Sequence, residues 1–466
     1  MNSTTLYNSI CSKLKFVANA QQSEAIKALS EFVFHSSYNQ LFLLKGYAGT
    51  GKSSLLAAFT NALSNTNYKS VLLAPTGRAA KVLSGYSQRT AFTIHRKIFQ
   101  VAEFGGRQRF VLSHNPHKNT IFVVDEASMI GVRQDEYLQN DLLSSLLEYV
   151  HSGNNCKLIL IGDTAQLPPV GSEDSQALNP EFLKTRYSSE IVLRELTTVE
   201  RQKEDSGILY NATKLRISLL EPEFVLPKIE QTDDCFNVMG ESLEDQLNQA
   251  YSQYGMENVL IVTRSNKRAN LFNKNIRNRI QLFEEDINAG DNLMVVKNNY
   301  YWLNEIGRKG DFIANGDMME ISKIIRREKL YGFEFADCLL RFTDLNDKEI
   351  EAKLILESLY QDQAAMSNES FSLLQQEVLM DVEDLSDSAL KFAYLKKSPH
   401  YNALQVKFSY AITCHKAQGG QWPCVFIDHG YLSDEMMDKS FIRWLYTAIT
   451  RATDQVYLVN FNPKLL

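Results

Sequence analysis

Residues 46–53 read Gly46-Tyr-Ala-Gly49-Thr50-Gly51-Lys52-Ser53, a glycine-spaced loop ending in a lysine and a hydroxyl. Glycines at these places let backbone N–H groups and a helix N-terminus close around phosphate oxygens. Gly46, Gly49, Thr50, Gly51, Lys52, Ser53 and Ser54 are therefore the candidate nucleotide contacts. Lys52 would neutralise the β and γ phosphates, and Ser53 would ligate magnesium. Further on, the apolar run 121–124 ends in Asp125 and Glu126. Asp125 suits a magnesium partner, and Glu126 suits a base that orients an attacking water. Together these residues predict magnesium-dependent hydrolysis of a nucleoside triphosphate, and leave its purpose open.

Such a loop works only between a strand and a helix, and its flanks supply both: LFLLK precedes it and SSLLAAFTNAL follows it. Between 40 and 200 the runs VLLAP, IFVVDE and KLILIGD recur at helical-length separations. Short branched and aromatic runs spaced this way predict a parallel sheet wrapped by helices. Residues 193–216 read as a strand end and a helix, and 259–262 begins a second series that continues at 425–427 and 456–459. Two α/β lobes are expected. Between about 286 and 400 the character changes: MVVKNNYYW, NGDMMEISKII and GFEFADCLLRF read as short strands, with turns at Asn315-Gly316 and Tyr331-Gly332. Residues 361–397 then turn helical and acidic. That stretch predicts a small β-rich insert with a helical return inside the second lobe.

The whole composition sets the limits. A chain of 466 residues has room for about three domains, and its 44% hydrophobic, 22% charged and 11% aromatic content is that of a globular protein. The longest apolar runs are far shorter than the roughly 20 residues that span a bilayer, so no membrane association is expected. The first residues, MNSTTLYNSICSKLKF, lack the layout of a secretory signal, which makes the cytoplasm the expected compartment. Cys11, Cys156, Cys235, Cys338, Cys414 and Cys424 form no C-x-x-C pair and read as reduced thiols. A net charge of -6 argues against indiscriminate polyanion binding but is compatible with a basic groove on an acidic body.

Further motifs stand in order along the chain. They are Ala74-Pro-Thr76-Gly-Arg78-Ala-Ala-Lys81, Thr93-Ile-His95-Arg96, the DEAS at 125–128 and Gly162-Asp163-Thr-Ala-Gln166-Leu-Pro-Pro-Val-Gly171. Then come Leu196-Thr-Thr-Val-Glu-Arg201-Gln202, Ala411-Ile-Thr413-Cys-His415-Lys416-Ala-Gln418-Gly419 and Tyr446-Thr447-Ala-Ile-Thr450-Arg451-Ala. This series resembles the motifs of superfamily 1 helicases, most closely the RecD-like and Dda-like branch. It spans nearly the whole chain outside the 286–400 stretch.

The resemblance implies an α/β fold of two RecA-like P-loop lobes with a small SH3-like insert in the second. Residues 1–195 would form the first lobe, carrying a short hairpin near 99–114. Residues 196–285 and 400–466 would form the second, and 286–399 the insert. It also implies an ATP-dependent DNA helicase moving 5′ to 3′ on single strands and unwinding duplex, in replication, recombination or repair. ATP and Mg2+ would be its cofactors, and single-stranded and forked DNA its partners. Gln22 would read the adenine edge with its amide, with Gln21 beside it as the neighbouring register. Gln166 would sense the γ-phosphate, and Arg201 and Arg451 would reach the same phosphate, where guanidinium charge meets developing negative charge. Thr76, Arg78 and His95 would grip nucleic acid from the first lobe; Thr413, His415 and Lys416 would do so from the second.

The chain departs from the family pattern at Glu200, where an aromatic often stacks on adenine, so no stacking residue is assigned. Gly105-Gly106, flanked by Val101, Phe104, Phe110 and Leu112, reads as the hairpin that splits duplex in this branch. The stretch 83–88, Leu-Ser-Gly-Tyr-Ser-Gln, resembles a transporter signature but lies too close behind the phosphate loop, and reads as a helix-ending turn. Asn266-Lys267-Arg-Ala269 lacks the acid that a guanine reader needs. Two other functions stay open: a nucleic-acid-stimulated ATPase acting as a switch or remodeller without strand separation, and an RNA helicase.

Overall fold

The computed structural model describes residues 2–35, 40–104, 107–132, 140–199, 206–305, 313–342 and 348–466. The chain forms two compact units: 1–233 with 418–420 and 434–450, and 234–417 with 421–433 and 451–466.

In the first unit the strands are β1 (Gln40–Gly46), β2 (Lys69–Ala74), β3 (Ala91–Thr93), β4 (Phe99–Phe104), β5 (Arg107–Leu112), β6 (Lys118–Val124), β7 (Asn154–Gly162) and β8 (Glu190–Leu196). Six of them make one parallel sheet in the order β3-β2-β6-β7-β1-β8. Their continuous apolar runs are explained by burial on both faces. Phe42, Leu44, Ile121, Val123, Ile159 and Ile161 pack with the helices Ala20–Phe34 and Lys52–Leu63. Leu41, Leu43, Phe122, Val124, Leu158 and Leu160 pack on the opposite face with the helix Leu142–Ser152. The register sets Lys45 opposite Gly162 and Val124 opposite Leu160. The residues just past β1, β6 and β7 therefore leave the sheet at one edge, where open parallel sheets bind ligands.

Strands β4 and β5 stand apart as an antiparallel pair, in register from Phe99 opposite Leu112 to Phe104 opposite Arg107. The Gly105-Gly106 turn lies outside the described residues. The helix Lys439–Ile449 packs within this unit against the helix Gly207–Leu220, although in sequence it lies between the strands Trp422–Asp428 and Ala452–Val459 of the second series. Phe441, Ile442, Leu445, Tyr446, Thr447, Ala448 and Ile449 are all buried, and Asp438 caps the helix by accepting the Phe441 N–H at 2.8 Å.

The second unit holds β9 (Cys235–Val238), β10 (Val259–Thr263), β11 (Asn292–Val295), β12 (Met318–Leu330), β13 (Phe333–Phe342), β14 (Lys348–Ile355), β15 (Leu404–Phe408), β16 (Ala411–Thr413), β17 (Trp422–Asp428) and β18 (Ala452–Val459). A parallel sheet runs β16-β10-β17-β18-β9, and β11 to β15 close into a barrel. Tyr331 (φ 55°) and Gly332 (φ 76°) make the left-handed two-residue turn between β12 and β13. β12 is not short: it runs 13 residues, and two register shifts against β13 let it bend around the barrel. The helices Asn368–Met380 and Ser388–Lys397 form the helical return, after which β15 pairs with both β11 and β14 to close the barrel.

Candidate active site

The phosphate loop leaves β1 at the ligand-binding edge and enters the helix Lys52–Leu63 through Gly51, whose φ of 86° is left-handed. A side chain there would also start 2.7 Å from Gln22 Nε2. Lys52 Nζ donates to the carbonyls of Gly46 at 2.6 Å and Tyr47 at 2.8 Å, which holds the ammonium over the loop. Gln22 is buried, and its amide is used twice: Oε1 accepts the Asn19 N–H at 3.1 Å, and Nε2 donates to the Thr50 carbonyl at 3.2 Å. Asn19 returns a bond to the Gln22 N–H at 2.8 Å, completing a capping box. Gln21 turns elsewhere, its Oε1 accepting the N–H groups of Thr197 at 2.8 Å and Thr198 at 3.1 Å.

Asp125 follows the buried end of β6. Its Oδ1 accepts the Glu126 N–H at 2.9 Å, and its Oδ2 accepts a short hydrogen bond from the Tyr86 phenol. Burial, with the Asp125 charge adding to it, pushes the Tyr86 phenol well above its usual range, so it is a proton donor. Glu126 holds φ 54° and ψ 36°, a left-handed conformation that is costly for a residue with a side chain. Ser53 and Asp125 supply hard oxygen ligands at one place, which fits a magnesium ion, and Lys52 beside them fits the phosphates.

Tyr86 was not singled out from the sequence. Its stretch is the last turn of the helix Gly77–Ser87, closed by Gln88 as a left-handed cap at φ 55°, which agrees with the helix end expected at 83–88. The readable signal is the spacing of Ala79, Leu83 and Tyr86 along one helix face.

A second tyrosine completes the arrangement. The Tyr446 phenol donates to Asp163 Oδ2 at 2.6 Å and accepts the Ala48 N–H at 2.9 Å, tying the phosphate loop to the loop after β7. Burial first, then the Asp163 charge, pushes this phenol well above its usual range. The same loop is pinned at Leu167, whose N–H donates to Thr447 Oγ1 at 2.9 Å and whose carbonyl accepts from Gln418 Nε2 at 2.8 Å. Gln166 is thereby fixed from its neighbour. It is buried, and its Oε1 has no hydrogen-bond partner among the described residues.

The remaining candidates divide between the two units. Thr76 caps the helix Gly77–Ser87 by accepting the Ala79 N–H at 3.2 Å, and Arg78 is half-buried one turn along. His95 lies in the helix Ile94–Ile98, its ring 5.8 Å from that of Phe99. In the second unit Thr413 ends β16, and His415, exposed, and Lys416 follow in the helical turn Cys414–Ala417. The Lys416 ammonium has no hydrogen-bond partner among the described residues, and burial, helped by Lys407, pulls its pKa down to about 8. Arg451 is buried, and its carbonyl accepts the Trp422 N–H at 2.9 Å. Arg201 and Glu200 lie outside the described residues.

Residues 17–217 match the family model of an AAA domain, and residues 408–459 match that of a UvrD-like helicase C-terminal domain. The chain is 37% identical over 133 residues to the ATP-dependent RecD2 DNA helicase of Deinococcus radiodurans, covering 28% of this chain and 16% of that protein. It is 31% identical over 198 residues to the ATP-dependent DNA helicase dda of Enterobacteria phage T4, covering 41% and 40%. The chain is thus similar to superfamily 1 helicases, on their RecD-like and Dda-like side, in its first motor segment and in its last one. It spans less than half the length of these two relatives. A structure of Pif1 helicases, described for DNA unwinding at forked dsDNA, shares its fold with a TM-score of 0.50 at 14% identity, over 96% of this chain and 94% of that one. Tyr446, Thr447 and Gln418, which carry part of the resemblance, touch the phosphate loop and the Gln166 loop.

Proposed function

We propose that this chain is an ATP-dependent DNA helicase that moves 5′ to 3′ along single-stranded DNA and opens duplex ahead of it. The observation that carries this reading is the convergence of Lys52, Ser53, Asp125 and Glu126 at one sheet edge, with Tyr446 bonded into the same phosphate loop from a helicase motif. Lys52 binds and neutralises phosphate oxygens, Ser53 and Asp125 hold magnesium, and Glu126 orients and deprotonates the attacking water. Magnesium, when bound, draws charge from the phosphate oxygens. Gln166, Arg201 and Arg451 attend the γ-phosphate, and Gln22 gives up its bond to Thr50 to read adenine.

In this reading 1–195 is the first motor lobe, 196–285 and 400–466 are the second, and 286–399 is the SH3-like insert. Thr76, Arg78 and His95 grip the strand on one lobe, and Thr413, His415 and Lys416 on the other. The setting is cytoplasmic: no described helix is long and apolar enough to cross a membrane, and all six cysteines are free thiols.

ATP turnover measured with and without single-stranded DNA, across a salt series, tests the proposal. Stimulation that weakens as salt rises is expected, because phosphate contacts release counterions. Turnover indifferent to DNA would remove the motor. Equal or stronger stimulation by RNA would change the substrate.

A further inference from the structure

Tyr86 has no place in the helicase motifs, yet its phenol donates to Asp125, read above with Ser53 as a magnesium ligand. The assignment below rests on that reading. Asp125 Oδ2 accepts the phenol proton, so the phenol engages an oxygen that a cation would use. The position is fixed from behind. Ser87 donates to the Leu83 carbonyl at 2.5 Å, the Ala91 N–H donates to Ser84 Oγ at 2.9 Å, and Leu83 is fully buried, so the end of this helix is locked to the sheet.

We propose that Tyr86 is a place-holder for the divalent cation, its hydroxyl proton standing in for part of the missing positive charge until the metal–nucleotide arrives. A carboxylate at the end of a buried strand is costly without a donor or a cation. Tyr86 supplies the donor and holds Asp125 in place. The same bond competes with the cation, because magnesium requires close oxygen ligands and tolerates little distortion of its shell. Tyr86 must release Asp125 for the site to load. It is a positioning residue that sets metal affinity, and so the threshold at which the enzyme takes up its nucleotide.

Mn2+ binding to the ADP complex, followed by electron paramagnetic resonance on wild type, Tyr86→Phe and Tyr86→Leu, decides the matter. Both variants remove the competing hydroxyl and are expected to bind Mn2+ about tenfold more tightly, the factor that corresponds to one charge-assisted hydrogen bond. Melting supplies the second readout. Tyr86→Phe should melt below wild type without metal and alongside it when loaded with Mn2+ and ADP. Unchanged or weaker Mn2+ binding, or an equal loss of melting temperature in both states, would overturn the place-holder and leave Tyr86 a packing residue. Asp125→Asn is measured in parallel: if it leaves Mn2+ binding intact, the assignment of the metal ligands itself is wrong, whatever Tyr86 does.

Discussion

In the proposed mechanism Glu126 and Lys52 act on different steps within one site, and substitution should separate them. Glu126→Gln keeps the shape and the left-handed backbone while removing the base. Nucleotide binding should persist and turnover should fall by orders of magnitude, as read by single-turnover hydrolysis beside equilibrium binding. Lys52→Ala should weaken both. Tyr446→Phe strips a buried hydroxyl from the Asp163 carboxylate and the Ala48 N–H at once. Leaving such partners unsatisfied costs about 1–3 kcal/mol, so a lower denaturation midpoint with an unchanged m-value is expected. Lys416 carries a pH signature. With its pKa near 8, its charge is present at pH 7 and fades towards pH 9, so single-stranded DNA affinity should weaken over that window. Lys416→Arg, which stays charged, should give a flatter profile in a fluorescence anisotropy titration.

Among elements, the hairpin of β4 and β5 is the one whose role can be removed without touching the motor. Deleting 103–107 should leave DNA-stimulated ATP turnover largely intact while unwinding of a forked duplex falls; equal unwinding by the deletion would return the hairpin to plain surface. How far such elements could be read from the sequence depends on how local their causes are. The phosphate loop and the acids after β6 were legible because phosphate and metal chemistry fix residue types at short spacing. The parallel sheet was legible because strands buried on both faces need unbroken apolar runs. The closed barrel was visible only as a group of strands, since the pairing of β15 with β11 joins Phe408 to Leu293 across the helical return. The Tyr446 bond to the phosphate loop links residues 398 positions apart, and the Gln418 bond to Leu167 spans 251, so no local pattern announces either. Tyr86 was hidden differently: its stretch imitated another protein's signature, and its true partner lay on a separate strand.

For the whole molecule, the proposed reading together with a net charge of -6 requires DNA to be held by local groups such as Arg78, His415 and Lys416 against an unfavourable overall field. DNA affinity should therefore fall steeply with salt, while ATP affinity in the absence of DNA changes little. Directional strand separation is the central claim, because hydrolysis alone would equally serve a switch. The direct measurement is ATP-dependent opening of two duplexes of the same sequence, one with a 5′ and one with a 3′ single-stranded tail, with Glu126→Gln as control. Preferential opening of the 5′-tailed duplex, abolished by Glu126→Gln, is the expected result. Preferential opening of the 3′-tailed duplex would contradict the polarity, and no opening of either under conditions of DNA-stimulated hydrolysis would contradict the helicase itself.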